Sequence, residues 1–205
     1  MQERPHRIRH AQRRGRPLPN ANVEDLRFIR ETMERSSSFT AVPGWGQVAM
    51  GGTALVAAWI ASRSGSPASW LKVWLAEAVA ALAIAIPALR AKALRSGSAL
   101  TSGPARKFFL AFLPPATAAA LLTVRLFRAE LSSTLPGTWL LLYGAGITTA
   151  GAFSVAIVPL MGVSFMATGF AALFAPAAYG NSFMAFGFGG LHIIYGVFIA
   201  RKHGG

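Results

Sequence analysis

Glu77 is the acidic residue set within an apolar run of this chain. An ionised carboxylate surrounded by hydrocarbon costs a few kcal/mol, roughly, so it needs a partner, a proton or water. Its run opens at Trp70, and at ~1.5 Å per residue this places the carboxyl about 10 Å in from that end. Arg125, which closes the next apolar run, is a candidate counter-ion, and Lys72 is a second. His192 falls near the middle of the last apolar run, and Tyr195, three positions on, shares its helix face. A titrating imidazole facing Glu77 would make a short proton relay. The plainer alternatives are an ion pair for Glu77 and a neutral imidazole bonded to a hydroxyl or carbonyl. Glu77, His192, Arg125 and Tyr195 are therefore the candidate polar site.

Much other chemistry is excluded. The chain has no cysteine, hence no disulfide, thiolate metal site or cysteine nucleophile. It has no phosphate-binding G-x-x-x-x-G-K-[ST] and no H-E-x-x-H. One histidine and one distant glutamate fall short of the three or four ligands a metal wants. No catalytic residue, metal or cofactor is expected, and the chain is not expected to be an enzyme.

The elements holding these residues are read from hydropathy and charge. From Leu131 to Ala200 there is no Asp, Glu, Lys or Arg, and the composition is 53% hydrophobic. A chain of 205 residues offers no soluble core large enough to bury that much, so a bilayer is the expected surrounding. Six spans are expected, at about Trp45 to Ala61, Trp70 to Leu89, Phe108 to Val124, Thr138 to Val158, Pro159 to Ala178, and Ser182 to Ala200. The fourth and fifth lack a charged boundary, and Pro159, which has no N–H, suits a first helical turn with the tight turn just before it. The dense glycines of this half suit close helix packing.

The net charge of +13 follows the same topology. Arg90, Lys92, Arg95, Arg106 and Lys107 share one loop region, and Arg201 and Lys202 close the chain. With the amino terminus on the cytoplasmic side, these all fall inside and Arg63, Arg125 and Arg128 fall outside. Both termini are then cytoplasmic, with 201–205 a short tail. Nucleic acid is not an expected partner.

Residues 1–21 carry Arg4, Arg7, Arg9, Arg13, Arg14 and Arg16 among prolines, with Glu3 alone to balance them. Such a segment cannot offset its ordering entropy by burial, so it is expected to be a disordered tail that touches anionic lipid head groups. Residues 22–43 hold an amphipathic helix and a linker. Val23, Leu26, Ile29 and Met33 recur at helical spacing. That face rests on the membrane or docks a cytosolic protein.

The block Glu31 to Gly46, E-T-M-E-R-S-S-S-F-T-A-V-P-G-W-G, resembles a segment of uncharacterised bacterial multi-pass membrane proteins. The resemblance covers a small part of the chain and carries no activity with it. It implies the bacterial cytoplasmic (inner) membrane as the setting.

The expected fold is all-α, a polytopic six-span bundle over 44–200 preceded by the amphipathic cytoplasmic helix. The expected role is a non-enzymatic membrane component: a scaffold, a sensor or a small complex subunit. Its partners would be the lipid bilayer and a cytosolic protein or a second copy of itself. The alternative is a small transporter or channel for an ion or a proton-coupled solute, working through Glu77 and His192.

Overall fold

The computed structural model describes residues 25–29, 40, 42–97 and 99–203. The chain divides into two units, Met1–Ser36 and Ser37–Gly205. In the first, residues 25–29 are helical, and Leu26, Phe28 and Ile29 are exposed. The expected basic tail over 1–21 lies outside the described residues.

The described part of the second unit is helical, with six longer helices, α1 Gly44–Ala61, α2 Pro67–Arg95, α3 Gly103–Arg128, α4 Leu135–Gly151, α5 Ile157–Phe174 and α6 Ala177–His203, and a 3-10 turn at Ser132–Thr134 leading into α4. The helix starts are written locally. Ser66 accepts a hydrogen bond from the Ser69 N–H at 3.2 Å with Pro67 following it, and Ser102 accepts from the Ala105 N–H at 3.4 Å ahead of Pro104. Each cap satisfies a donor that the first turn leaves free, and proline there costs no bond. Lys92 and Arg95 end α2, and Arg125 and Arg128 end α3, where cations meet the negative end of the helix dipole.

Four of these helices, α2, α3, α5 and α6, are long and apolar enough to cross a membrane. The expected count of six is corrected to four. α4 is only 17 residues long, short of the ~20 a bilayer core requires. α1 has 18 residues, but Gly44, Gly46, Gly51, Gly52, Gln47 and Thr53 dilute its apolar character.

Boundaries shift too. The turn expected just before Pro159 lies over 152–156, so α4 and α5 are separate helices and Pro159 sits in the first turn of α5. α5 stops at Phe174, not at Ala178, because Ala175 is extended (φ −79°, ψ 155°), the conformation favoured ahead of a proline such as Pro176. α6 begins earlier than Ser182, with a 3-10 turn at Ala177–Tyr179, and widens to a π-helical stretch at Ala185–Leu191.

Neighbouring helices run antiparallel, as their contacts show. Gly46 lies against Ala88, and Thr53 bonds Glu77, joining α1 to α2. Gly51 lies against Gly189 and Ile193, and Asn181 bonds the Ala58 carbonyl, joining α1 to α6. Phe112 fills the space beside Gly146, and Trp139 bonds Thr123, joining α3 to α4. Gly137 meets Gly169, and Gly144 meets Gly162, joining α4 to α5. The buried core runs through Ala54, Trp74, Leu140, Met161, Phe165 and Met184. At the Lys92 end of the bundle Arg90, Arg95, Arg106, Lys107, Arg201 and Lys202 are exposed. Arg63, Arg125, Arg128 and Glu130 are exposed at the other.

Candidate functional site

His192 is 5% exposed, directly after the π-helical stretch of α6. Gly187, Gly189 and Gly190 open that stretch, and the missing side chains of the first two make room for Leu140 and Leu55. The imidazole Nδ1 lies 2.9 Å from the Phe188 carbonyl oxygen, and Nε2 lies 2.7 Å from the Tyr143 hydroxyl. A carbonyl can only accept, so Nδ1 carries the hydrogen; Nε2 of the neutral ring then accepts from the Tyr143 O–H. Phe112, Phe165 and Phe188 pack around the Tyr143 ring at centroid distances of 5.9, 4.9 and 5.2 Å. The result is a closed hydrogen-bonded pair in an aromatic box, linking α4 to α6.

Tyr143→Phe is expected to lower thermal stability by about 1 kcal/mol, since it strands Nε2 while keeping the ring in place; hydrogen bonds between membrane helices are worth this order. Unfolding followed by tryptophan fluorescence in one detergent checks it. An unchanged melting curve would mean the His192–Tyr143 bond holds nothing.

Tyr195 turns away from this pair and bonds Ser164 of α5 at 2.6 Å. Glu77, 9% exposed, has its Oε1 2.8 Å from Thr53 Oγ1 of α1. The relay expected between Glu77 and His192 is not assembled, because each group is bonded to a different neighbour. Nor does Glu77 meet Arg125 or Lys72 in an ion pair among the described residues. The reason is packing: α2 lies on α1 while α3 lies on α4, and both Arg125 and Lys72 are exposed. Of the docking face, Leu26 and Ile29 are helical and 66% and 53% exposed; Val23 and Met33 lie outside the described residues. Among the described residues, no three His, Asp or Glu side chains gather as a metal site.

Three polar residues, half-buried Asn181 and buried Lys92 and Gln47, escape a reading of the sequence. Asn181 accepts from the indole N–H groups of both Trp70 and Trp74 at 3.2 Å, and its amide donates to the Ala58 carbonyl at 2.8 Å. Trp70 in turn stacks on Trp139, with centroids 5.6 Å apart and planes 18° from parallel. Lys92 is 6% exposed, and its ammonium donates to the carbonyls of Val42 and His203, each at 2.9 Å. Gln47 is buried, and among the described residues its Oε1 has no hydrogen-bond partner. The two tryptophans carry a hint, since a buried indole N–H seeks an acceptor. Nothing in the local sequence says that Asn181 supplies it.

An apolar groove of about 430 Å³ opens where α5 passes to α6, lined by Ala175, Pro176, Tyr179, Ser182, Phe183 and Phe186. None of the candidate polar residues lines it. Comparison of this chain with protein-family models, with curated proteins and with solved structures finds no match in any of the three.

Proposed function

We propose that the chain is a non-enzymatic integral membrane protein that serves as a scaffold, sensor or small subunit of a membrane complex. One observation carries this reading: Glu77, His192 and Tyr195 each end on a bond between two helices, not on one another. Polar groups used in this way hold a bundle together and line no path. The outer faces of α2 and α3 present Leu75, Val79, Leu82 and Ile86, and Leu110, Leu113, Leu121 and Val124, all exposed, as a lipid-facing surface would. The basic Lys92 end is the cytoplasmic one by the positive-inside rule, which supports cytoplasmic termini. The resemblance of Glu31 to Gly46 supports a bacterial cytoplasmic membrane. The exposed Leu26 and Ile29 support a cytosolic protein partner on the amphipathic helix, whose apolar face has the spacing of a helix that docks in a groove.

Two measurements on the full chain test this. A photo-crosslinking residue at Leu26 or Ile29 is expected to capture one protein in cells. At Arg27, on another face of the same helix, it is expected to capture none. In vesicles the purified protein is expected to pass protons and alkali cations no faster than empty liposomes. A flux that Glu77→Gln abolishes would instead establish the transport alternative and remove the scaffold reading.

A further inference from the structure

At Ser164 and Thr123 a hydroxyl donates to a carbonyl of its own helix and can accept from Tyr195 O–H and Trp139 N–H, groups that always carry a hydrogen; Glu77 meets the same kind of hydroxyl with a group that carries one only when protonated. Its Oε1 lies 2.8 Å from Thr53 Oγ1, and the same Oγ1 lies 2.9 Å from the Met50 carbonyl oxygen. A threonine hydroxyl has one hydrogen, and a carbonyl has none to give. With Glu77 ionised, two acceptors therefore compete for one hydrogen. With a proton on Glu77, the carboxyl donates to Thr53, Thr53 donates to Met50, and both short contacts become hydrogen bonds. Among the described residues no cation replaces that proton: α1 has no titratable side chain between Gly44 and Ala61, and on α2 Lys72 and Arg90 are exposed. His192 and Tyr143 are bonded to each other. Leu75, Ala76, Ala78 and Val79, which flank Glu77 on its helix, are exposed and apolar, so the surroundings offer an ionised carboxylate little else.

We propose that Glu77 is a proton-binding site, with Thr53 as the acceptor of its hydrogen bond, and that the bound proton seats α2 on α1. Among the described residues the Glu77–Thr53 contact is the direct side-chain hydrogen bond between these two helices, set between the Lys92 tie at one end and the Asn181 tie at the other. Loss of the proton leaves a carboxylate in competition with Met50 for one hydrogen and weakens the joint. The site needs only to bind a proton, not to pass one across, so it stands or falls separately from the partner proposed above. A metal cation is a poorer fit, since hard cations gather six or more oxygens and this site presents one carboxyl and one hydroxyl.

The test uses the full chain in phospholipid vesicles and the lipid-soluble probe dicyclohexylcarbodiimide. A protonated carboxyl adds its O–H across one C=N bond of the probe, its hydrogen passing to nitrogen. The O-acylisourea formed then rearranges to a stable N-acylurea, whose mass equals peptide plus probe. Modification of the Glu77 peptide is expected at neutral pH, falling at least tenfold as the pH is raised, and absent in Glu77→Gln. Thr53→Val is expected to move that fall to lower pH, because it removes the acceptor that the protonated form uses. A move to higher pH would show Thr53 donating to a carboxylate and would overturn the assignment. Protection by sodium chloride relative to choline chloride would also overturn it, in favour of an alkali cation. Infrared spectroscopy gives a readout that needs no reagent: a carboxylic-acid C=O band at neutral pH that Glu77→Gln abolishes supports the site. Carboxylate bands alone at every pH would refute it.

Discussion

Gly169→Leu is expected to cost roughly 3 kcal/mol or more and to part α4 from α5, the upper end of what overpacking does in a well-packed core. The cost follows from what a side chain would meet. A Cβ at Gly169 would lie 2.5 Å from the Leu141 nitrogen, 2.9 Å from the Gly137 oxygen and 3.0 Å from the Leu140 carbonyl carbon. All three are backbone atoms, which cannot swing aside as a flexible side chain does. The next turns of the same seam are equally close: a Cβ at Gly144 would lie 2.6 Å from the Gly162 oxygen, and one at Gly162 would lie 2.7 Å from the Gly144 oxygen. Because the glycines act in series, the helices must separate along the seam, and Leu140, Met161 and Phe165 lose their burial with it. Small residues serve this purpose between apolar helices, where dispersion at close approach replaces the hydrophobic drive available in water. Gly52→Ala is the matched control, since nothing lies within 4 Å of its would-be Cβ. It is expected to change stability by no more than the helix-propensity gain of up to about 1 kcal/mol. Thermal unfolding of both variants in one detergent decides the matter; equal melting of Gly169→Leu and the parent would mean that the seam does not hold α4 to α5.

The second large effect is expected at Lys92. Its ammonium bridges the Val42 carbonyl before α1 and the His203 carbonyl at the end of α6, so one cation ties together the start of one helix and the ends of two others. The last carbonyls of a helix have no partner within it, and a cation placed there also faces the negative end of the dipole. Lys92→Met keeps the stem and removes the donor. It is expected to cost about 2 to 3 kcal/mol, the range for charge-assisted bonds that leave their acceptors stranded. The earliest sign should be local. Arg201 and Lys202 are exposed on the last turn of α6, so trypsin is expected to cut there several-fold faster in Lys92→Met than in the parent. Unchanged cleavage and an unchanged melting temperature together would rule out the tie.

Much of this architecture was legible from local chemistry. The uncharged run from Leu131 to Ala200 marks apolar helices, and Pro159 marks a first helical turn; Pro67 and Pro104, at the starts of α2 and α3 ahead of Trp70 and Phe108, and Pro176, which stops α5 short of Ala178, set ends that hydropathy alone misses. The clusters at Arg90 to Lys107 and at Arg201 and Lys202 are correctly read as lying at one end, because charge is excluded from the middle of such helices. Span counting was less secure. The expected fourth span runs past the end of α4 at Gly151, and glycines with Gln47 and Thr53 lower the hydropathy of α1; both helices lean on neighbours through Gly46, Gly51, Gly144 and Gly146 and need not be apolar all round.

The pairing of polar groups was a different matter. Spacing along the chain points Glu77 toward Arg125 or His192, yet it bonds Thr53, 24 positions away; His192 shares a helix face with Tyr195, yet it bonds Tyr143, 49 positions away. Asn181 reaches Trp70 across 111 positions. What the sequence determined by itself is that the chain forms apolar helices and which end gathers positive charge, since charge is excluded locally from such runs; helix ends fall a turn or two away from where hydropathy alone puts them, because caps and prolines set them. Only the tertiary structure decided which helices touch and which polar groups meet. A helix that is apolar nearly all round carries no stripe to mark its inner face, so glycine seams and hydrogen bonds between distant positions choose its neighbours.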